Sequence, residues 1–327
     1  MTLKLLLMGT GEFAVPAFEA LLAGPHEVVG LVTQPDRSGP GHHDHRHPLE
    51  TIKAVCVDRG LPVLQPTNVN LEESIESIAV LEPDLAVVAA YGQILKPGVI
   101  GLPRLGAFNL HASLLPRHRG ATPIHHAILA GDSETGVTAF LIAPEVDSGP
   151  ILGSVRRSIS PSDTTGTLHD ALAEDAAGLA VDVVDLAART GFGNTLQSQD
   201  DANATLAPRL KKADAEIDWS VDGVSIDRHI RAMRPWPNPF THLHIEGQKS
   251  KRLIVCQVEP CPGSRQETVK RVAGDIVSAD PASGLLVACG DGLVRVLRVQ
   301  PAGRREMDSD EFLRGAGEIA GGRLGPA

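Results

Sequence analysis

Three stretches of this 327-residue chain carry side chains that could do chemistry. The first is GAFNLHASLLPRHRGATPI, where Asn109 and His111 stand two apart. Residues two apart on a strand project from one face. Burying an amide and an imidazole there without partners would cost several kcal/mol, so the pair reads as facing a ligand. The strand runs into the loop Ser113-Leu114-Leu115-Pro116-Arg117. Open α/β sheets place ligands at such C-terminal strand ends. Asp147, in PEVDSGPIL, follows the apolar run TGVTAFLI and is expected beyond a strand's C-terminal end as well. Amide, imidazole and carboxylate can then converge on one crevice, as a set able to donate hydrogen bonds and to hold a proton.

The second stretch is Gly9-Thr10-Gly11-Glu12-Phe13-Ala14, a GxGxxA pattern between a strand and a helix, with Asp36 near the place of a ribose-binding acid. A dinucleotide-binding fold has this layout. Asp36, however, follows a Pro and opens a loop. The glycines are therefore read as a tight strand-to-helix turn, and no NAD is expected. The third is RSGPGHHDHRHP, with His42, His43, His45 and His47 around Asp44 and Arg46. Such a tract can pick up metal adventitiously. A specific site needs ligands held by a rigid surround, so this Gly/Pro-rich segment reads as a solvated or substrate-contacting loop, and no metal is expected.

Strands and helices alternate through the first half. LKLLLMG, VVGLVTQ, DLAVVAAYG, GAFNLHAS and TGVTAFLI read as buried strands. FAVPAFEALLAG, LETIKAVCVDRG, LEESIESIAVLEP and GATPIHHAILAG read as helices between them, with a further helix near 167–190. The expectation is an α/β fold whose N-terminal, Rossmann-like parallel sheet has helices on both faces. The polar, Gly/Asn/Asp-rich stretch after it reads as a linker, which gives a catalytic domain over 1–190, a linker over 191–212 and a second domain over 213–327. In that second domain the amphipathic VDGVSIDRHIRAMRP is followed by five short alternating runs, as expected of a small OB-like β-barrel.

Composition limits the rest. Apolar residues make up 42% and charged residues 21%, as in a soluble globular protein. No run approaches ~18 apolar residues, so no membrane span is expected. The opening MTLKLLLMGTG ends in a Gly-rich turn and reads as a strand, not a signal peptide. Cys56, Cys256, Cys261 and Cys289 form no CxxC pair, in keeping with a reducing cytoplasm. The net charge of −10 is uneven: residues 1–208 hold 12 Lys+Arg against 24 Asp+Glu, and residues 209–327 hold 18 against 16. A polyanionic partner would meet local basic segments, not a global positive field.

Taken together, GTGEFAVP, VTQPDR, GLPVLQP, AAYGQIL, FNLHASLLPRHRGATPI, GDSETGVT, DSGPIL, AEIDW, IRAMRPWP and VQPAG resemble the folate-dependent formyltransferases over nearly the whole chain. The long loop at 35–50, LKKADAEIDW and IRAMRPWP look like the tRNA-acting members. The resemblance implies transfer of a formyl group from 10-formyltetrahydrofolate, as co-substrate, to the amino group of initiator methionyl-tRNA, by a cytoplasmic monomer. It makes Asn109, His111 and Asp147 catalytic. Asn109 and a His111 ring N–H would donate to the oxyanion of a tetrahedral intermediate. Asp147 would orient His111, raise its pKa and help accept a proton from the attacking amine. The amine is itself the nucleophile, so no covalent enzyme intermediate is needed. Tyr91, Gly92, Gln93 and Ile94, with Ser113, Leu114, Leu115 and Pro116, would border the folate. Arg37 and Arg46, with Arg209, Lys211 and Lys212, would meet tRNA phosphates. This chain departs from the family pattern at His118, where an aromatic is usual, at Ser148, where Thr is usual, and in the basic loop, where only Arg37 and Arg46 are permanent cations. An amino-sugar formyltransferase would share the catalytic trio, and a non-catalytic RNA-binding protein would share the C-terminal barrel. Glycinamide ribonucleotide transformylase would lack a C-terminal domain.

Overall fold

The structure, a computed structural model, describes residues 1–36, 50–261, 271–280 and 284–326. Arg37, Arg46 and the tract His42–His47 lie outside the described residues. The chain divides into two compact units. One comprises Met1–Pro123, Glu134–Ser158 and Leu168–Pro208; the other comprises Ile124–Ser133, Ile159–Thr167 and Arg209–Ala327.

In order along the chain the main elements are β1 Lys4–Gly9, α1 Val15–Ala23, β2 Glu27–Val32, α2 Glu50–Asp58, β3 Val63–Leu64, α3 Glu72–Ala79, β4 Leu85–Ala89, α4 Pro97–Ile100 and β5 Ala107–His111. There follow β6 Arg119–Gly120, α5 Pro123–Ala130, β7 Glu134–Leu141, β8 Ile151–Ser158, α6 Thr165–Thr190 and β9 Leu206–Ala207. The first unit's sheet has the order β3-β2-β1-β4-β5-β7-β8. Its first five strands are mutually parallel. In β4 all five residues are buried, and in β1 five of six, so both faces of the sheet are covered.

The last two strands correct the expectation of a parallel sheet. β7, the run TGVTAFLI, is antiparallel to β5, and β8 is antiparallel to β7. A continuous apolar run reports burial on both faces, not strand direction. The connection from β7 to β8 covers only residues 142–150, shorter than the dozen or so that a parallel crossover needs. Strand β8 was not expected at all. Its burial alternates along ILGSVRRS, as on a half-exposed edge, and its Arg157 forks onto Asp175 at 2.6 and 2.8 Å.

The glycines of the GTGEFA turn are explained by packing. A Cβ on Gly9 would lie 2.7 Å from the Ala89 carbonyl oxygen. The Gly11 N–H is already donated to the Ala90 carbonyl at 3.2 Å. Asp36 accepts from Lys53 at 2.6 and 2.8 Å.

In the second unit, α7 Gly223–Ala232 begins at Asp222, whose carboxylate accepts the Ser225 N–H at 2.9 Å, an ordinary helix N-cap. Its antiparallel sheet uses β10 Phe240–His244, β11 Lys251–Cys261, β12 Ile276–Asp280, β13 Gly284–Ala288, β14 Leu293–Pro301, β15 Met307–Asp308 and β16 Arg323–Gly325. The order is β12-β13-β14-β11-β10-β16, with β15 on β14. The two edge strands meet through an Asp275–Arg323 bridge and the Ile276 N–H to Gly322 carbonyl bond at 2.9 Å, so the sheet curls nearly shut around a core that includes Trp219, Ile230, Val255 and Val296. β15 and β16, two and three residues long, are too short to leave a period in the sequence. Among the described residues no helix is long and apolar enough to cross a membrane.

Candidate active site

Strand β5 sits between β4 and β7, with Asn109 opposite Val88 on one side and Phe140 on the other. Asn109 is half-buried, and its side-chain amide makes no hydrogen bond among the described residues. It is therefore a donor held open on a rigid strand. His111, on the same face, is 6% exposed, and its ring packs edge-on against Phe140.

Both nitrogens of His111 have a polar neighbour, but only one is hydrogen-bonded. Nε2 lies 2.9 Å from the His118 carbonyl oxygen. A carbonyl only accepts, so Nε2 carries the hydrogen and Nδ1 of the neutral ring is left with its lone pair. Nδ1 faces Asp147 Oδ2 at 3.6 Å. This corrects the expectation that a His111 ring N–H points at substrate; Asn109 alone of the trio has an uncommitted donor. The expected upward push of Asp147 on the His111 pKa is present, but it is outweighed. Burial disfavours the imidazolium more strongly, and the net shift is downward. The site thus holds a neutral imidazole lone pair and a carboxylate facing each other, with room for one proton between them.

Asp147 reaches this place by a different route from the one the sequence suggested. Because β7 is antiparallel, its C-terminal residue Leu141 pairs with Phe108, on the N-terminal half of β5. It is the loop 142–150 that brings the carboxylate to His111. Asp147 has a left-handed φ of 50°, and its Oδ2 accepts the Gly120 N–H at 2.7 Å. Gly120 belongs to the short pair β6–β9. Its φ is +126°, and a Cβ there would lie 2.5 Å from the Ala207 carbonyl oxygen, so no other residue fits. The His118 N–H donates to Thr205 Oγ1 at 2.8 Å.

The segment after Thr190, read as a linker, therefore builds part of the site. Gln199 donates to the Asp147 and Gly149 carbonyls, both at 2.8 Å, and accepts from Arg119 Nε and Nη2 at 3.0 and 2.7 Å. Arg119, Gly120, Gln199 and Thr205 were not singled out from the sequence. The only trace of them there is that RG follows the His111 loop directly.

The structure brings the loop of Ser113, Leu114, Leu115 and Pro116 to the same strand end. Buried Thr138 secures it, donating to the Ser113 carbonyl at 2.7 Å and accepting the Leu115 N–H at 3.1 Å. Ser113 spends its hydroxyl on the Arg117 carbonyl at 2.7 Å. Tyr91, Gly92, Gln93 and Ile94 follow β4, next in the sheet to β5. The Tyr91 ring lies in the core among Leu6, Met8 and Val88, and burial pushes its hydroxyl up to about 12. Gln93 is spent on the Val69 N–H and the Pro66 carbonyl. What this segment shows to solvent is the exposed backbone of Gly92 and the Ile94 side chain, 74% exposed. Arg209, Lys211 and Lys212 belong to the second unit, and all three are exposed. Among the described residues no group of three or more His, Cys, Asp or Glu could hold a metal ion.

The downward shift of His111 has a consequence for stability. The unfolded chain takes up a proton near the ordinary His pKa of about 6.5, where the folded site refuses it. The neutral ring's contribution is therefore full above that pH and is lost as pH falls below it. Denaturant titrations should show unfolding of the first unit becoming easier from about pH 7.5 to 5.5, and less so in His111→Asn. An equal acid loss in both proteins would contradict the assignment of a neutral His111.

Comparison with known proteins gives the family. The formyl transferase family model matches residues 1–184, and the formyl transferase C-terminal domain model matches 209–317. A methionyl-tRNA formyltransferase of Methylococcus capsulatus is 41% identical, covering 99% of this chain and 100% of that protein. One of Magnetococcus marinus is 40% identical, covering 98% of each. Among solved structures, the sugar 3N-formyltransferase WlaRD, crystallised with dTDP and 5-N-formyl-THF, superposes with a TM-score of 0.61 at 15% identity, covering 93% of this chain and all of that one. That likeness speaks for the fold alone.

Proposed function

The chain belongs to the formyl transferase family, and from that premise we propose that it transfers the formyl group of 10-formyltetrahydrofolate to the free amino group of initiator methionyl-tRNA. The observation that carries the reading is the convergence on one strand end of an uncommitted donor, Asn109, with a proton-holding pair, His111 and Asp147. The 41% and 40% identical methionyl-tRNA formyltransferases point to the acceptor.

The folate supplies an activated formyl group. The backbone around Gly92 and the loop Ser113–Pro116 would hold it, beside an Asn109 amide that has no partner among the described residues to give up. Asn109 then donates to the formyl oxygen as negative charge builds there, a kind of contact worth about 2.7–4 kcal/mol in the transition state. An amine attacks only after losing its ammonium proton. That first proton goes to solvent, and the His111 lone pair and the Asp147 carboxylate, 3.6 Å apart, are placed to take the second proton, which the nitrogen sheds once bonded to the formyl carbon, and to pass it to the departing folate nitrogen. The tautomer locked by the His118 carbonyl keeps the basic nitrogen of His111 on the Asp147 side.

On this reading Arg209, Lys211 and Lys212, together with Arg37 and Arg46, meet tRNA phosphates, and the protein works in the cytoplasm as a monomer. The direct test is incubation with methionyl-initiator tRNA and 10-formyltetrahydrofolate, followed by analysis of the esterified amino acid. Formylmethionine is the expected product. Its absence, or formylation of a dTDP-amino sugar instead, would overturn the reading.

A further inference from the structure

We propose that Gln199 is a positioning residue of the transfer reaction, setting the place of Asp147 through the backbone of its loop. The proposal rests on the formyl-transfer reading above.

The carboxamide of Gln199 is fully used, and in only one way round. Its Oε1 accepts from Arg119 Nε at 3.0 Å and Nη2 at 2.7 Å. An oxygen must stand there, so the NH₂ must face the other way. It donates one hydrogen to the Asp147 carbonyl and one to the Gly149 carbonyl, each at 2.8 Å. The two acceptors bracket Ser148, so one side chain straps the turn that carries the carboxylate.

Three features say that this turn needs holding. Asp147 is a non-glycine residue at φ 50°, a conformation that persists only where its surroundings fix it. Gly149 is pressed so closely on the chain that a Cβ would lie 1.7 Å from the Leu141 carbonyl oxygen. The Asp147 carboxylate has one backbone donor, Gly120, and stands 3.6 Å from His111, beyond hydrogen-bond length. Nothing in that last relation pulls Asp147 inward. Its distance from His111 is set by the loop.

Arg119 gives a second line of argument. Its side chain is 12% exposed, yet it spends two of its guanidinium donors on a neutral amide and, among the described residues, meets a carboxylate only at Asp201, 80% exposed. A carboxylate so open to solvent is a weak partner, because water screens it. What the guanidinium does achieve is to lock the Gln199 rotamer, which aims the NH₂ at the two carbonyls. Arg119 directly precedes Gly120, so one short strand fixes both the donor to Asp147 Oδ2 and the residue that orients Gln199.

The test uses Gln199→Met, which keeps length but removes donor and acceptor, and Gln199→Glu, which keeps the acceptor for Arg119 and loses the donors to the loop. Steady-state formyl transfer, equilibrium titration with 10-formyltetrahydrofolate and thermal unfolding are measured for each. We expect kcat to fall about 10–100-fold in both variants, the scale of a small misplacement of a reacting group. KM for both substrates and the folate affinity should stay within about threefold of the parent, because neither binding surface is touched. Unchanged kcat in Gln199→Met would overturn the proposal. So would retained kcat in Gln199→Glu, since the Arg119 contact alone would then suffice. A joint loss of kcat, folate affinity and thermal stability would show Gln199 to be mere structural support, and would overturn it equally. An inactive parent protein would instead count against the formyl-transfer reading itself.

Discussion

Asn109→Ala is expected to lower kcat for formyl transfer by about 10²–10³-fold, the usual loss when one donor to a developing oxyanion is removed. The structure makes this a clean experiment. The Asn109 amide has no partner among the described residues, so truncation orphans no buried group. Its strand neighbours Val88 and Phe140 pair through the backbone, which alanine leaves in place. The melting temperature should therefore stay close to that of the parent while turnover collapses. Near-normal turnover in Asn109→Ala would mean that the oxygen is stabilised elsewhere, and the site assignment would fail.

Asp147→Asn should cost about 10²-fold or more in kcat, within the range of general acid–base catalysis. Asparagine matches the carboxylate in shape, and its oxygen can still accept the Gly120 N–H, so the loop keeps its anchor. What disappears is the second proton acceptor facing His111 Nδ1. Single-turnover measurement with formyl donor and charged tRNA in hand separates the chemical step from binding. A chemical step within a few-fold of the parent would show that the proton leaves by another route.

How far these residues could be read in advance differs from one to the next, for physical reasons. Asn109 and His111 were legible because strand periodicity is a local rule, and two residues apart means one face. Asp147 was found for a partly wrong reason. Apolar content showed that β7 is buried, but direction is set by which neighbour a strand pairs with, and that is a tertiary matter. Tyr91 was placed at the ligand by resemblance, and the sequence could not show that its ring turns into the core while its carbonyl accepts from Thr10 and Gln34. The His111 ring illustrates the same limit at finer scale. Its downward pKa shift depends on burial and on the His118 carbonyl, neither of which has a signature in composition. Gln199 was the least legible. A Gln in a polar, Asp-rich stretch looks the same whether it floats in solvent or straps a catalytic turn, because the difference lies in partners some 50 and 80 positions earlier in the chain. The barrel of the second unit was legible as alternating runs with turn signals between them, whereas its closure, made by β16 and a single bridge, was not.

The pairing of β6 with β9 also orders events in time. As the ribosome makes the chain from its N-terminus, Asn109, His111 and Asp147 all emerge well before Gln199, Thr205 and Ala207. Until that later stretch is out, Gly120 lacks its partner strand, His118 lacks its Thr205 acceptor and the Asp147 turn lacks its strap. The nascent chain can pair the parallel strands β1 to β5 once His111 has emerged, because every partner among them lies at or before that residue, whereas the reactive centre awaits a further long-range closure, of the kind that slows folding, with residues near 199–207. Catalytic competence is thus among the last properties the first unit acquires during synthesis.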